Sequence, residues 1–239
     1  VRYNGQAAML KIAEAEEERA GGLLMLWWAG LGAARVLAHD DDALLMERAG
    51  GTASLADLAR KGDDDGASRI ICEVVARLHS KSDLPSFDAV VPLARWFREL
   101  EPAAAQYSGV LVSAAAAARQ LLATPRDVVV LHGDIHHGNI LDFGAQGWLA
   151  IDPKGLQGER GFDYANLFCN PDGTTAATRE RLARRVEIVA DAARLAPSRL
   201  LQWVLAYAGL SAAWTLNSGG VPDVALAVAE SAAAELRNL

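Results

Sequence analysis

Up to residue 49 the apolar positions come in short runs separated by turn residues, and beyond it they recur mostly at helical spacing. Residues 1–3 and 6–12 flank Asn4-Gly5, a two-residue turn signal, and predict a hairpin. Residues 13–28 follow as a helix with acids in its first turns, where the helix dipole favours them. Residues 34–38 and 44–46 predict two more strands around a turn at 39–42, and Glu47-Arg48-Ala49-Gly50-Gly51 then breaks the pattern. From Thr52 the chain reads as helical: Ile71, Val74, Val75 and Leu78 stripe residues 66–80, which end in Leu78-His79, with a surface cap as one of two readings of His79. A loop at 85–92 precedes helices at 94–100 and 110–123, and Leu182, Val186, Val189 and Ala193 stripe a later one. Pro197 and Pro222 stand at helix starts.

One pair of strands interrupts the helices. Residues 128–131 form a β-branched apolar run, and 148–151 return as a second strand after the turn at 144–147. Between them runs HGDIHHGNILDFGAQGWLAID, residues 132–152. The predicted strands bring Asp134, Asn139 and Asp152 together at one edge of a small sheet. Two carboxylates and an amide are what phosphoryl transfer requires: one acid to orient an attacking hydroxyl and accept its proton, and oxygen ligands for a magnesium ion on the nucleotide phosphates. Asp134 suits the first role, and Asn139 and Asp152 the second. Beyond Asp152, residues 155–161 read as a loop, and 162–166 open a helix where Asp163 can cap the first turn and tie the loop down.

Rival chemistries fare worse on the same residues. A two-metal phosphoesterase would use Asp134 and His136 but needs further histidine ligands, and no histidine follows His137. A zinc site on His132, His136 and His137 lacks a completing cluster. A plain turn between core strands, with His132 merely packed, would need none of this polarity.

Composition narrows the partners. With 51% hydrophobic residues the chain is not disordered, and a net charge of −7 without basic blocks argues against nucleic acid. An acidic surface suits a cationic small molecule. Cys72 and Cys169 sit alone on apolar helical patterns and read as buried thiols of a reducing cytoplasm. The longest apolar run, 21–31, is too short to span a bilayer and reads as core helix, and no signal peptide is visible, so no membrane partner is expected. Lys11 stands inside the apolar strand Met9-Leu10-Lys11-Ile12, where an ammonium is costly without partners.

The order His-x-Asp, four residues, Asn, then a hairpin to Asp152 resembles the catalytic loop of the protein-kinase-like superfamily. With His-Gly-Asp at 132–134 and Pro153-Lys154 after the metal acid, it is most similar to the aminoglycoside phosphotransferases. The words HGDIHHGNIL, WLAIDPKGL, GFDYANLF and LSAAW place it nearest their aminoglycoside 6-phosphotransferase and hydroxyurea kinase branch. The resemblance implies an α+β, protein-kinase-like fold: a small antiparallel nucleotide-binding lobe over 1–49 and a large, mainly helical catalytic and substrate lobe over 50–239. It implies ATP and Mg²⁺ as cofactors and an aminoglycoside, streptomycin first, as acceptor. Lys11 would grip the phosphates and Glu18 would hold Lys11, with Glu17 and Glu14 as alternates. Glu47 and Ala49 would lie at the hinge that meets the adenine, and His136 would assist Asp134 at the γ-phosphate. Glu159 and Asp172 would belong to an acidic substrate cleft.

The chain opens inside the first hairpin without a preceding glycine-rich loop, so the small lobe is expected to be incomplete at its N-terminal side, in an enzyme truncated in this copy. The alternatives are a kinase for another small hydroxylated compound such as hydroxyurea, or a non-catalytic nucleotide-binding relic. A monomer or homodimer in the cytoplasm is expected.

Overall fold

In the computed structural model of the chain, residues 1–85, 90–176 and 178–239 are described. Asn4 and Gly5 take positive φ (48° and 80°), which a two-residue hairpin turn requires, so β1 (Arg2–Tyr3) folds back on β2 (Gln6–Ile12) with Tyr3 opposite Gln6. Helix α1 (Glu16–Trp28) starts later than its periodicity predicts, because the Ala13 N–H is still engaged with the sheet, donating to the Asp42 carbonyl at 2.7 Å. Strands β3 (Val36–Asp40) and β4 (Ala43–Glu47) complete an antiparallel sheet in the order β1-β2-β4-β3. Leu44 and Met46 on one face of β4 are buried with Leu24, Met25 and Trp28 of α1.

The helical part begins with α2 (Leu55–Arg60) and α3 (Asp64–His79), capped by the side chains of Ser54 and Asp63, which accept from the N–H groups of Asp57 and Gly66. Then come β5 (Val91–Pro92), α4 (Leu93–Trp96), α5 (Leu100–Tyr107), α6 (Val110–Ala123), β6 (Val128–Leu131), β7 (Ile140–Asp142), β8 (Trp148–Ala150) and β9 (Leu156–Glu159). Two 3₁₀ turns lead to α7 (Gly173–Ala176), α8 (Arg179–Ala193), α9 (Pro197–Asn217) and α10 (Asp223–Leu236). Helix α9 is the spine of this part: it is buried almost without interruption from Arg199 to Ala213 and packs on α6 and α10. The alanine run of α6 is a packing surface against it. Leu182, Val186, Val189 and Ala193 of α8 all face inward as their spacing predicts. Among the described residues no helix is long and apolar enough to cross a membrane.

The structure departs from the sequence pattern at further places. The predicted loop at 155–161 contains β9, which pairs antiparallel with β6 along its whole length and parallel with β5. Strand β6 is therefore not the neighbour of β8; β7 and β8 form a separate ribbon, so the three polar residues do not share a sheet edge. The helix expected at 94–100 is split into α4 and a 3₁₀ turn at 97–99, and helical structure continues in α5, with Pro102 in its first turn, where the missing N–H is harmless. The helix expected at 162–166 is replaced by 3₁₀ turns at 160–164 and 166–169. In the predicted loop at 85–92, Val91 and Pro92 form β5, and residues 86–89 lie outside the described residues.

Candidate active site

Strand β6 ends at Leu131, and the loop that leaves it is held by side chains rather than by a sheet. The carboxylate of Asp163, 1% exposed, accepts the N–H of His132 at 2.9 Å on one oxygen and that of Gly133 at 2.7 Å on the other. His79, at the end of α3, closes on the same carboxylate through Nε2 at 2.8 Å. Of the readings open for His79, the structure shows a buried anchor and not a surface cap, and Asp163 ties down the loop after β6 with no helix to cap. The His132 ring accepts the Asp134 N–H on Nδ1 (3.2 Å), so its proton sits on Nε2 and is donated to the Ile151 carbonyl (2.9 Å). Burial pushes the pKa of this ring down, keeping it neutral, and it stacks on Trp28 with centroids 6.2 Å apart. The Ile151 N–H donates to Asn139 O (2.9 Å) and the Lys154 N–H to His132 O (2.7 Å). These bonds stitch the loop to the segment after β8 and bring Asp134, Asn139 and Asp152 together without a shared sheet.

Asp134 is half-buried and both its oxygens accept from amides. Asn139 Nδ2 donates to its Oδ2 at 3.2 Å and to its backbone carbonyl at 2.9 Å; Asn166 Nδ2 donates to Oδ1 at 2.9 Å. His136 Nε2 lies 3.9 Å from Oδ1. Its Nδ1 accepts the Gly138 N–H (3.0 Å), which puts the ring proton on Nε2, on the side of Asp134. Burial lowers the His136 pKa against the opposing pull of Asp134 and Asp152, so the neutral ring is a hydrogen-bond donor there.

Asp152 takes a left-handed backbone conformation, φ 60°, which aspartate tolerates better than most residues. Its Oδ1 is hydrogen-bonded by the Lys11 ammonium, and its Oδ2 lies 3.8 Å from Lys154 Nζ. Burial alone would raise its pKa, but the Lys11 hydrogen bond and the charges of both lysines outweigh burial and keep it ionised. Lys11 Nζ is also 3.9 Å from Glu18, whose pKa is lowered mainly by the Glu14 N–H it accepts, with Lys11 adding to that. Helix α1 reaches this position because residue 21 is glycine: a Cβ there would stand 2.3 Å from the Pro153 carbonyl. Glu18, one turn earlier on that face, is thereby delivered to Lys11.

Of the residues picked from the sequence, the structure brings Lys11, Glu18, Asp134, His136, Asn139 and Asp152 into one site. Glu47 and Ala49 are not joined to this group: Glu47 accepts from Arg35 N–H (2.7 Å) and Gln146 (2.8 Å), and Ala49 packs half-buried on the core. Glu159 does not belong to the site. It stands at the end of the β6–β9 ladder opposite the loop, 3% exposed, held by Arg199 (2.6 and 2.9 Å) and by Trp203 Nε1 (2.8 Å). Asp172 is bonded to Arg60 at 2.7 Å, so its charge is offset. His137 is buried and packed; burial, then Arg185, drives its pKa to about 3. Sequence reasoning assigned Asn166 and Lys154 no role, although both stand in the words GFDYANLF and WLAIDPKGL, because their partners are reached only through the fold.

The donor set fits a hard divalent cation. Asn139 spends its amide nitrogen on Asp134, which leaves Oδ1 as an acceptor turned away from it, and Asp152 supplies an ionised carboxylate.

Residues 1–219 match the family described as aminoglycoside/hydroxyurea antibiotic resistance kinase. Over 224 residues the chain is 51% identical to a streptomycin 3''-kinase of Klebsiella pneumoniae, covering 92% of this chain and 84% of that one. It is 30% identical over 247 residues to a streptomycin 6-kinase of Streptomyces griseus, covering 98% and 79%. In fold it resembles the aminoglycoside phosphotransferase APH(3'')-Id of Streptomyces rimosus, solved with ADP and streptomycin, at a TM-score of 0.56 and 20% identity, covering 85% and 86%.

Proposed function

The chain belongs to the aminoglycoside/hydroxyurea antibiotic resistance kinase family, and from that premise we propose that it moves the γ-phosphate of ATP to a hydroxyl of streptomycin, at the 3'' position. The observation that carries the reaction is the convergence of Asp134, Asn139, Asp152 and Lys11 on one site. Identity favours the acceptor: 51% to a 3''-kinase against 30% to a 6-kinase. The motif words of the sequence pointed instead to the 6-phosphotransferase branch.

Each residue has a chemical task in this reading. Asp134 orients the acceptor hydroxyl and takes its proton as the oxygen attacks the γ-phosphorus; the bond to the β-phosphate oxygen breaks and ADP leaves. His136, neutral and with its proton on Nε2, donates to the transferring phosphoryl group. Lys11, set by Glu18, holds the nucleotide phosphates, and the Glu47–Ala49 segment offers backbone groups to the base. Asn139 and Asp152 would hold Mg²⁺, which supplies neutralisation of phosphate charge. Asp172 remains a candidate for the substrate side, with Arg60 as its partner.

The test is ATP turnover with and without streptomycin, with mapping of the phosphorylated hydroxyl by NMR. Streptomycin-dependent turnover is expected and should fall by a factor of about 10² or more in Asp134→Ala, while nucleotide still binds. Full activity in that variant would sink the mechanism. Phosphate at the 6-hydroxyl would overturn only the position, and turnover with hydroxyurea alone would move the substrate.

A further inference from the structure

We propose that Asn166 is a positioning residue for the catalytic carboxylate, and that it is itself set by a polar line running from the α3–α8 junction through Arg185 and Asn170. This rests on the kinase reading of Asp134 and goes beyond it.

The line is continuous. Asn166 is 7% exposed and donates from Nδ2 to Asp134 Oδ1 at 2.9 Å, across 32 residues of sequence. An amide can turn end for end, and the wrong end would face an oxygen toward the carboxylate. Asn170 prevents this: its Nδ2 donates to Asn166 Oδ1 and to the Asn166 carbonyl, both at 3.0 Å. That leaves only the Asn166 amide nitrogen for Asp134. The backbone carrying both asparagines is held in turn by Arg185, 2% exposed, whose Nη1 donates to the carbonyls of Leu167 (2.5 Å) and Asn170 (3.0 Å). Arg185 is fixed by Asp64 at the first turn of α3. Burial would raise the Asp64 pKa, but the hydrogen bonds and charges of Arg181 and Arg185 outweigh it and bring it down to about 2, so the acid stays charged.

The chemistry explains why an amide stands here. Asn139 approaches the opposite oxygen of Asp134, so the two amides fix the plane of the carboxylate from both sides. A cation in place of Asn166 would fix it too, but would compete with the acceptor proton for the carboxylate charge. A neutral donor sets the direction and leaves the charge available. Misplacing a reacting group by about an ångström costs about a hundredfold in rate, so this bond acts on kcat and not on substrate affinity.

The experiment uses the full chain. Asn166→Ala is expected to lower kcat about tenfold to a hundredfold, with KM for ATP and for streptomycin within about twofold and the thermal midpoint little changed. Asn166→Asp, isosteric but without the donor, should fall at least as far. Asn170→Asp, which removes the donor that orients Asn166, should give a smaller loss of the same kind. An unchanged kcat in Asn166→Ala, or a kcat loss matched by an equal rise in KM, would overturn the proposal. The bond is also read without turnover: in ¹⁵N-labelled protein the Asn166 side-chain amide signal should move when Asp134→Ala is introduced, and a signal that stays put would overturn the proposal even if Asn166 variants fold poorly. A wild-type chain that does not phosphorylate streptomycin would fail the substrate reading alone, because the amide measurement still decides this one.

Discussion

The two carboxylates of the site are held in opposite ways. Asp134 sits on a loop fixed by buried, mostly neutral groups: the amides of Asn139 and Asn166, the His132 ring, and the Asp163 carboxylate under the loop backbone. Asp152 is held by charges on long side chains, Lys11 and Lys154, at positions about one-third exposed. Short buried donors hold one geometry with little entropy left to lose, whereas exposed ion pairs are weak and screened by salt. In the proposed reaction, then, the acid that would take the proton is preorganised, and the acid that would meet the nucleotide side remains adjustable. That division suits the proposal, in which Lys11 would exchange Asp152 for phosphate when nucleotide binds.

The largest break in that contrast is expected at Asp163. Removing its side chain in Asp163→Ala leaves two buried N–H groups and His79 without their acceptor, at a cost of roughly 3 kcal/mol or more. Thermal unfolding should show this as a clear drop in Tm. A midpoint within a degree or two of wild type would mean that the loop is not held from below as described. Asp152→Ala is the counterpart: stability should change by about 1 kcal/mol or less, while calorimetry should show metal-dependent nucleotide binding lost.

Salt sharpens the difference further. Glu18→Gln is expected to raise KM for ATP by a few-fold at low ionic strength, with the effect shrinking as salt screens the Lys11–Glu18 pair. A salt-independent effect would make Glu18 part of the rigid half. The smallest effect concerns pH. His132 and His137 are buried neutral, with folded pKa values below the ordinary 6.5, about 3 for His137. The unfolded chain then binds more protons below 6.5, so stability is full above that pH and declines as pH falls toward 3. His137→Gln should flatten this acid limb in pH-dependent denaturation. An unchanged slope would show that His137 does not contribute.

Expectation and structure part along the same line. Asp134, Asn139, Asp152 and the odd lysine at 11 were legible because the chemistry they need is carried by residue type and short spacing within strand and turn signals. Glu18 was picked ahead of Glu17 and Glu14, and the packing of Gly21 on Pro153 delivers it to Lys11. Glu159 shows the limit: an acid in a glycine-flanked segment reads as exposed until β9 pairs with β6 and presents it to Arg199.

By itself the sequence determined the candidate set of polar residues, its order along the chain, the hairpin at the start and the helical character of the remainder, because these follow from local propensity and covalent spacing. Only the tertiary structure decided what holds that set in place. Asn166 meets Asp134 across 32 residues and Asp163 meets His79 across 84, and Lys11 meets Asp152 across 141. A hydrogen bond or ion pair depends on distance in space and on burial, and no periodicity in the chain encodes either across such separations.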